Sequence, residues 1–150
     1  MKVLFVCTGN ICRSPTAAGV FAQLVKQAGL ADRIGVESAG THDYHVGSAP
    51  DLRAQDHARR RGYDLSALRA RQVRKRDFSD FDLIVAMDRG HFGILEKNCP
   101  PELRGRLRML IPGRDVPDPY YGGPEGFDRV LDLVEGACRA LLDEVRSKVA

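Results

Sequence analysis

The chain lacks tryptophan, is poor in aromatic residues (7%), and has no apolar run near the roughly 20 residues needed to span a bilayer. A membrane-spanning segment is therefore not expected. One lysine and about five apolar residues precede Cys7, too few for a secretory signal, so the expected location is the cytoplasm. In that reducing compartment the four cysteines do not imply a disulfide framework. None of the histidines, His42, His45, His57 and His91, has metal-ligand spacing with a cysteine or carboxylate cluster. Surface or turn positions are expected for all four, and neither a metal nor another cofactor is assigned. There is no internal repeat and no linker. A charged fraction of 29% excludes disordered and fibrous classes, and 150 residues suit one domain, 1–150, with a sizeable core. The net charge of +3 conceals an asymmetry: Arg53 to Arg76 holds nine basic residues against two acidic ones, while the remainder is net acidic. That segment reads as a solvated flank rather than a nucleic-acid surface. Its functional role, if any, is to steer acidic peptides, with a dependence on salt.

What is present alternates between two periodicities. Val3 to Val6, Ile34 to Ala39, Leu83 to Ala86 and Leu107 to Ile111 read as strands. Between and after them, helices are expected from Ser14 to Gly29, Asp51 to Arg61, Asp88 to Lys97 and Gly126 to Lys148. Ser14 followed by Pro15 has the form of an N-cap and first helical residue. The alternation predicts an α/β protein: a four-stranded parallel sheet flanked by helices on both faces. Pro112 to Gly126 stands apart, with four of the eight prolines and four glycines. A long loop of this kind in a compact domain is commonly functional.

Ligands of open parallel sheets bind beyond the carboxyl ends of the strands. Here that position is Cys7-Thr8-Gly9-Asn10-Ile11-Cys12-Arg13-Ser14. Gly9 and Asn10 tolerate left-handed conformations that turn amides inward as an anion nest. A helix N-terminus adds partial positive charge, and Arg13 adds a planar fork of donors. The same field favours a thiolate at Cys7, a nucleophile aimed at a bound phosphoryl group. Ser14 has two possible roles, a hydrogen bond to that sulfur and a helix cap. A lone cysteine after a strand is most often a small buried hydrophobe. The spacing of five residues to Arg13-Ser14, between strand and helix, reverses that expectation.

Val6-Cys7-Thr8-Gly9-Asn10-Ile11-Cys12-Arg13-Ser14-Pro15 resembles the signature of the low-molecular-weight protein tyrosine phosphatases, and Asp118-Pro119-Tyr120-Tyr121-Gly122 resembles their second signature. The resemblance runs the full chain, through Ser38-Ala39-Gly40-Thr41, Ala70-Arg71-Gln72 and Met87-Asp88. It implies hydrolysis of phosphotyrosine in proteins, and of small aryl phosphates, through a phosphocysteine on Cys7. Arg13 and the loop Thr8, Gly9, Asn10, Ile11, Cys12 and Ser14 then bind phosphate. Inorganic phosphate is the product and an inhibitor, and the expected state is a monomer. A tyrosine leaving group has a pKa near 10 and needs a positioned acid. The family gives that role to the aspartate matching Asp118. Tyr44 and Tyr120 are the implied walls for a phenyl ring.

The family also uses the second loop cysteine, here Cys12, to trap the oxidised nucleophile reversibly. Cys99 and Cys138 read as core or partly exposed thiols. Many members have a histidine where this chain has Leu68, next to the aspartate matching Asp88, so a looser corner is expected there. Three alternatives fit the sequence less well. A thiol-linked arsenate reductase needs a cysteine relay, and Ala86 and Met87 interrupt it. An arginine phosphatase carries threonine where Ile11 stands. A phosphate-binding module without turnover would not need Cys7, Arg13 and Asp118 together.

Overall fold

The structure, a computed structural model, describes residues 1–149. Strands β1 (Lys2–Cys7), β2 (Gly35–Gly40), β3 (Leu83–Ala86) and β4 (Leu107–Met109) form one parallel sheet in the order β2-β1-β3-β4. Helices α1 (Arg13–Gln27), α2 (Leu52–Arg60), α3 (Asp77–Asp80), α4 (Arg89–Asn98) and α5 (Pro124–Val149) surround it, with a 3₁₀ helix at Pro101–Arg106.

The central position of β1 follows from its side chains. Val3, Phe5 and Cys7 project into a cluster with Phe21 and Val25 of α1 and Val130, Leu131, Val134 and Val145 of α5. Leu4 and Val6, on the alternate face, join Phe78 of α3 and Leu95 of α4. Burying such a side chain stabilises the fold by about 1.5–3 kcal/mol, so a strand apolar on both faces gains most between two layers of helices. From β1 the chain passes to β2 on one side and then crosses to β3 on the other. The connections therefore diverge at the carboxyl ends of β1 and β3 and leave a crevice there. Cys7, paired with Gly40 of β2, is the last residue of β1 and opens onto that crevice.

Some local expectations are corrected. Helix α1 begins at Arg13, its N-cap is Cys12, and no side chain caps it; Ser14 is already inside the first turn and its hydroxyl turns elsewhere. β4 stops at Met109, and Ile111 instead pairs antiparallel with Arg114 at the start of the proline-rich loop. α5 starts at Pro124, where proline suits a first turn lacking intrahelical donors. α3 and the 3₁₀ helix are too short to leave a period in the sequence. Two histidines expected at the surface are buried, His57 at 7% exposure and His91 at 4%. His57 stacks on Phe127 and holds Asp128 through Nδ1 at 2.9 Å.

Candidate active site

The loop after β1 is shaped by Asn10, the one non-glycine residue with positive φ (59°) among those described. Asparagine tolerates this conformation because its short polar side chain finds local partners. Here its amide nitrogen donates to Ser14 Oγ (2.8 Å) and Ser38 Oγ (2.9 Å), and its oxygen accepts from the Arg71 amide (3.1 Å). The loop is thus tied to its own helix, to β2 and to the segment after α2. Its carbonyls face outward: Cys7 O accepts from Thr41, Thr8 O from His42, Ile11 O from Asp51 and Cys12 O from Thr16. The amides of Thr8 to Cys12, by contrast, donate to no protein acceptor among the described residues. Backbone donors without partners, at the N-terminus of a 15-residue helix, make an anion cradle.

Arg13 completes it. The side chain is buried, and its Nη1 donates to Asp88 Oδ2 (2.8 Å) and to the Val116 carbonyl (3.0 Å). Those bonds leave Nη2 directed toward the loop, 3.7 Å from Asp118 Oδ2. Asp118 lies on the opposite wall, where its Oδ1 accepts the Tyr120 amide (3.0 Å). Ser14 Oγ sits 3.0 Å from Cys7 Sγ and 3.4 Å from the Ala39 carbonyl, so its single proton has two competing acceptors. Cys12 is buried with Ala54 and Phe127; burial, then Asp51 and Cys7, pushes its thiol up to about 12, so it remains protonated at neutral pH.

A cavity of about 350 Å³ brings Cys7, Thr8, Gly9, Ile11, Cys12 and Arg13 together with Tyr44, Asp118 and Tyr120. Asn10 and Ser14 lie beneath the loop and shape it. Tyr121 of the second signature also lines the space, and so does His45, which the sequence did not mark as a site residue. His45 packs so closely on the loop that a Cβ at Gly9 would fall 2.8 Å from its ring. Tyr44 stacks on His42 with ring centroids 4.9 Å apart.

Asp88, expected to lie in a looser corner because of Leu68, is held by Arg13 and by His91. The His91 backbone amide donates to Asp88 Oδ1 (2.8 Å), and its Nε2 lies 2.7 Å from Thr8 Oγ1 and 3.4 Å from Arg13 Nη2. Desolvation, followed by the Arg13 charge, lowers its pKa to about 4, so the ring is neutral at neutral pH. Because Arg13 can only donate, the favourable tautomer has its lone pair on Nε2 and its proton on Nδ1. Nδ1 is 3.1 Å from Asp88 Oδ1, close enough for attraction although not aligned as a hydrogen bond. Three residues after the N-cap Asp88, His91 lies on the first turn of α4.

The whole length from residue 2 to residue 150 matches the model of a family described as low molecular weight phosphotyrosine protein phosphatase. The chain belongs to the low molecular weight protein tyrosine phosphatase family. It is accordingly a phosphatase. It is 43% identical to the low molecular weight protein-tyrosine-phosphatase of Streptomyces coelicolor, with 99% of this chain and 95% of that one covered. With the human low molecular weight phosphotyrosine protein phosphatase the identity is 37%, over 95% and 94% of the two chains. A crystal structure of protein tyrosine phosphatase from Entamoeba histolytica superposes with a TM-score of 0.94 at 38% identity, covering 99% of this chain and 98% of that one.

The basic segment behind this phosphatase site is less free than its composition implies. Arg59 and Arg60 pair with Asp56, Arg61 with Asp132 (2.8 Å) and Glu135 (2.6 Å) of α5, Arg71 with Asp77 (2.9 Å), and Arg76 with Asp80 (3.1 Å). Arg61 and Arg71 therefore join elements of the fold, which a reading of the segment as a solvated flank did not anticipate. No helix among the described residues is long and apolar enough to cross a membrane.

Proposed function

We propose that the protein, acting as a single domain over residues 1–150, hydrolyses phosphotyrosine in proteins through a phosphocysteine on Cys7. The observation that carries this reading is one cavity holding the Cys7 thiol, the unpartnered amides of Thr8 to Cys12, the Arg13 fork and the Asp118 carboxyl. The cradle and Arg13 hold the dianionic phosphoryl group with its phosphorus facing Sγ. As thiolate, Cys7 accepts a hydrogen bond from Ser14 and attacks phosphorus. The bond from phosphorus to the phenolic oxygen breaks, and Asp118 gives its proton to that oxygen. A water molecule then attacks the phosphocysteine, Asp118 takes its proton, and the sulfur leaves as thiolate with inorganic phosphate as product. Charge on the equatorial oxygens is stabilised by the same donors throughout. Tyr44 and Tyr120 flank the entrance and suit an aromatic ring.

The test compares wild type and Cys7→Ser on phosphotyrosine, phosphoserine and phosphoarginine peptides. Turnover of phosphotyrosine alone, abolished by Cys7→Ser with phosphate binding retained, is expected. Undiminished turnover in the variant would refute the mechanism, and preference for phosphoarginine would refute the substrate.

A further inference from the structure

Between Val116, whose amide donates to the Met87 carbonyl, and Phe127 in the core of α5, the loop bearing Asp118 is sparsely tied. Among the described residues, every hydrogen bond of residues 117–122 stays within that segment, such as Gly122 N to Pro119 O. The ion pair from Asp118 to Arg13 spans 3.7 Å. A second cation outside the loop also reaches it. The Arg53 guanidinium lies 5.4 Å from the centroid of the Tyr120 ring and 4.8 Å from that of Phe127.

Arg53 is held for this role. Asp51, the N-cap of α2, accepts Arg53 Nε at 3.1 Å and Nη2 at 2.9 Å, so the edge of the guanidinium is gripped and its faces are left for aromatic rings. The Asp51 amide donates to the Ile11 carbonyl at 2.8 Å. A continuous path thus runs from the cysteine loop through Asp51 and Arg53 to Tyr120, two residues from Asp118.

We propose that Arg53 is a positioning residue for the general acid: stacked on Tyr120 and anchored through Asp51 to the cysteine loop, it sets where Asp118 meets the leaving group. The inference rests on the phosphocysteine reading above. Arg53 touches neither substrate nor the reacting atoms. Losing it leaves the anion cradle intact and lets the acid stray.

The experiment measures Arg53→Gln, Arg53→Lys and Asp118→Asn on two substrates. One is phenyl phosphate, whose leaving group needs a proton, and the other is 2,4-dinitrophenyl phosphate, whose leaving group does not. Inhibition by inorganic phosphate is measured alongside. A positioned general acid contributes about 10²–10⁴ in rate, so partial misplacement in Arg53→Gln should lower kcat/KM on phenyl phosphate by about tenfold. The kcat/KM of the dinitrophenyl ester, which reports only the steps up to release of the phenolate, and the phosphate inhibition constant should be unchanged. Arg53→Lys, which keeps the cation and loses the fork, should fall between. In the Asp118→Asn background the Arg53 substitution should cost nothing further. Equal losses on both esters, no loss on either, or full additivity with Asp118→Asn would overturn the proposal. Cys7→Ser, run in parallel, separates this failure from the other: residual turnover there refutes the phosphocysteine reading itself.

Discussion

Cys7 Sγ and Ser14 Oγ meet at 3.0 Å across the base of a loop that separates them by seven residues, and Asn10 donates to the same hydroxyl from the other side. A hydroxyl receiving a bond from an amide is polarised to give its own proton onward. It has two acceptors, the sulfur and the Ala39 carbonyl at 3.4 Å, and a negative sulfur wins that competition. Ser14→Ala removes a charge-assisted bond worth about 1.5–3 kcal/mol and should lower kcat by about ten- to a hundredfold. Phosphate inhibition should change little. Steady-state rates on an aryl phosphate check both.

Asp118 is predicted to matter in proportion to the basicity of the leaving group. Asp118→Asn should lower kcat/KM for phenyl phosphate by about 10²–10³ and that for a dinitrophenyl ester far less. The slope of log kcat/KM against leaving-group pKa should steepen accordingly. A uniform loss of kcat/KM across the series would remove Asp118 from proton transfer to the leaving group.

His91 is predicted to make the fold sensitive to acid. Its ordinary pKa is 6.5, and burial beside Arg13 lowers it to about 4. The folded state therefore favours the neutral ring, and the unfolded chain takes up the proton first. Stability from this group is complete above pH 6.5 and falls as the pH drops toward 4, by about 3 kcal/mol in all. His91→Asn should flatten that part of the profile. Urea unfolding of both proteins at pH 7, 5.5 and 4.5 is the measurement, with the wild type expected to lose stability faster.

Gly40 is predicted to be irreplaceable for steric reasons. A Cβ there would stand 2.7 Å from the Thr8 carbonyl oxygen and 3.0 Å from that of His42, both backbone atoms. Gly40→Ala should shift the loop it abuts, cost about 1–3 kcal/mol of stability and weaken phosphate binding. Thermal unfolding with and without phosphate tests the pair of effects together.

The parts of this molecule that sequence made readable are those decided by neighbours in the chain. Val3 to Val6 are apolar without interruption because both faces of β1 are covered, and the cysteine loop is one contiguous segment whose amides, arginine and nucleophile come from residues 7–14. Ser14 was ambiguous, since its spacing fits a cap and a sulfur partner equally well, and only the start of α1 at Arg13 decides between them. His91 and Arg53 were hidden for another reason. His91 meets Thr8 across 83 positions, and Arg53 meets Tyr120 through a ring contact that leaves no pattern in composition. Within the largely exposed basic stretch Arg61 was hidden in the same way, because it finds its carboxylates on α5, more than 70 residues on.

The place of β1 in the sheet also governs when activity can arise. Its six residues pair with β2 through residue 40 and with β3 through residue 86. Arg13 needs Asp88 and the Val116 carbonyl before its fork is set. Contacts of such long sequence separation close late and slowly. During refolding, recovered hydrolysis should therefore trail the return of helical circular dichroism, so that catalysis serves as a clock for the last step of assembly.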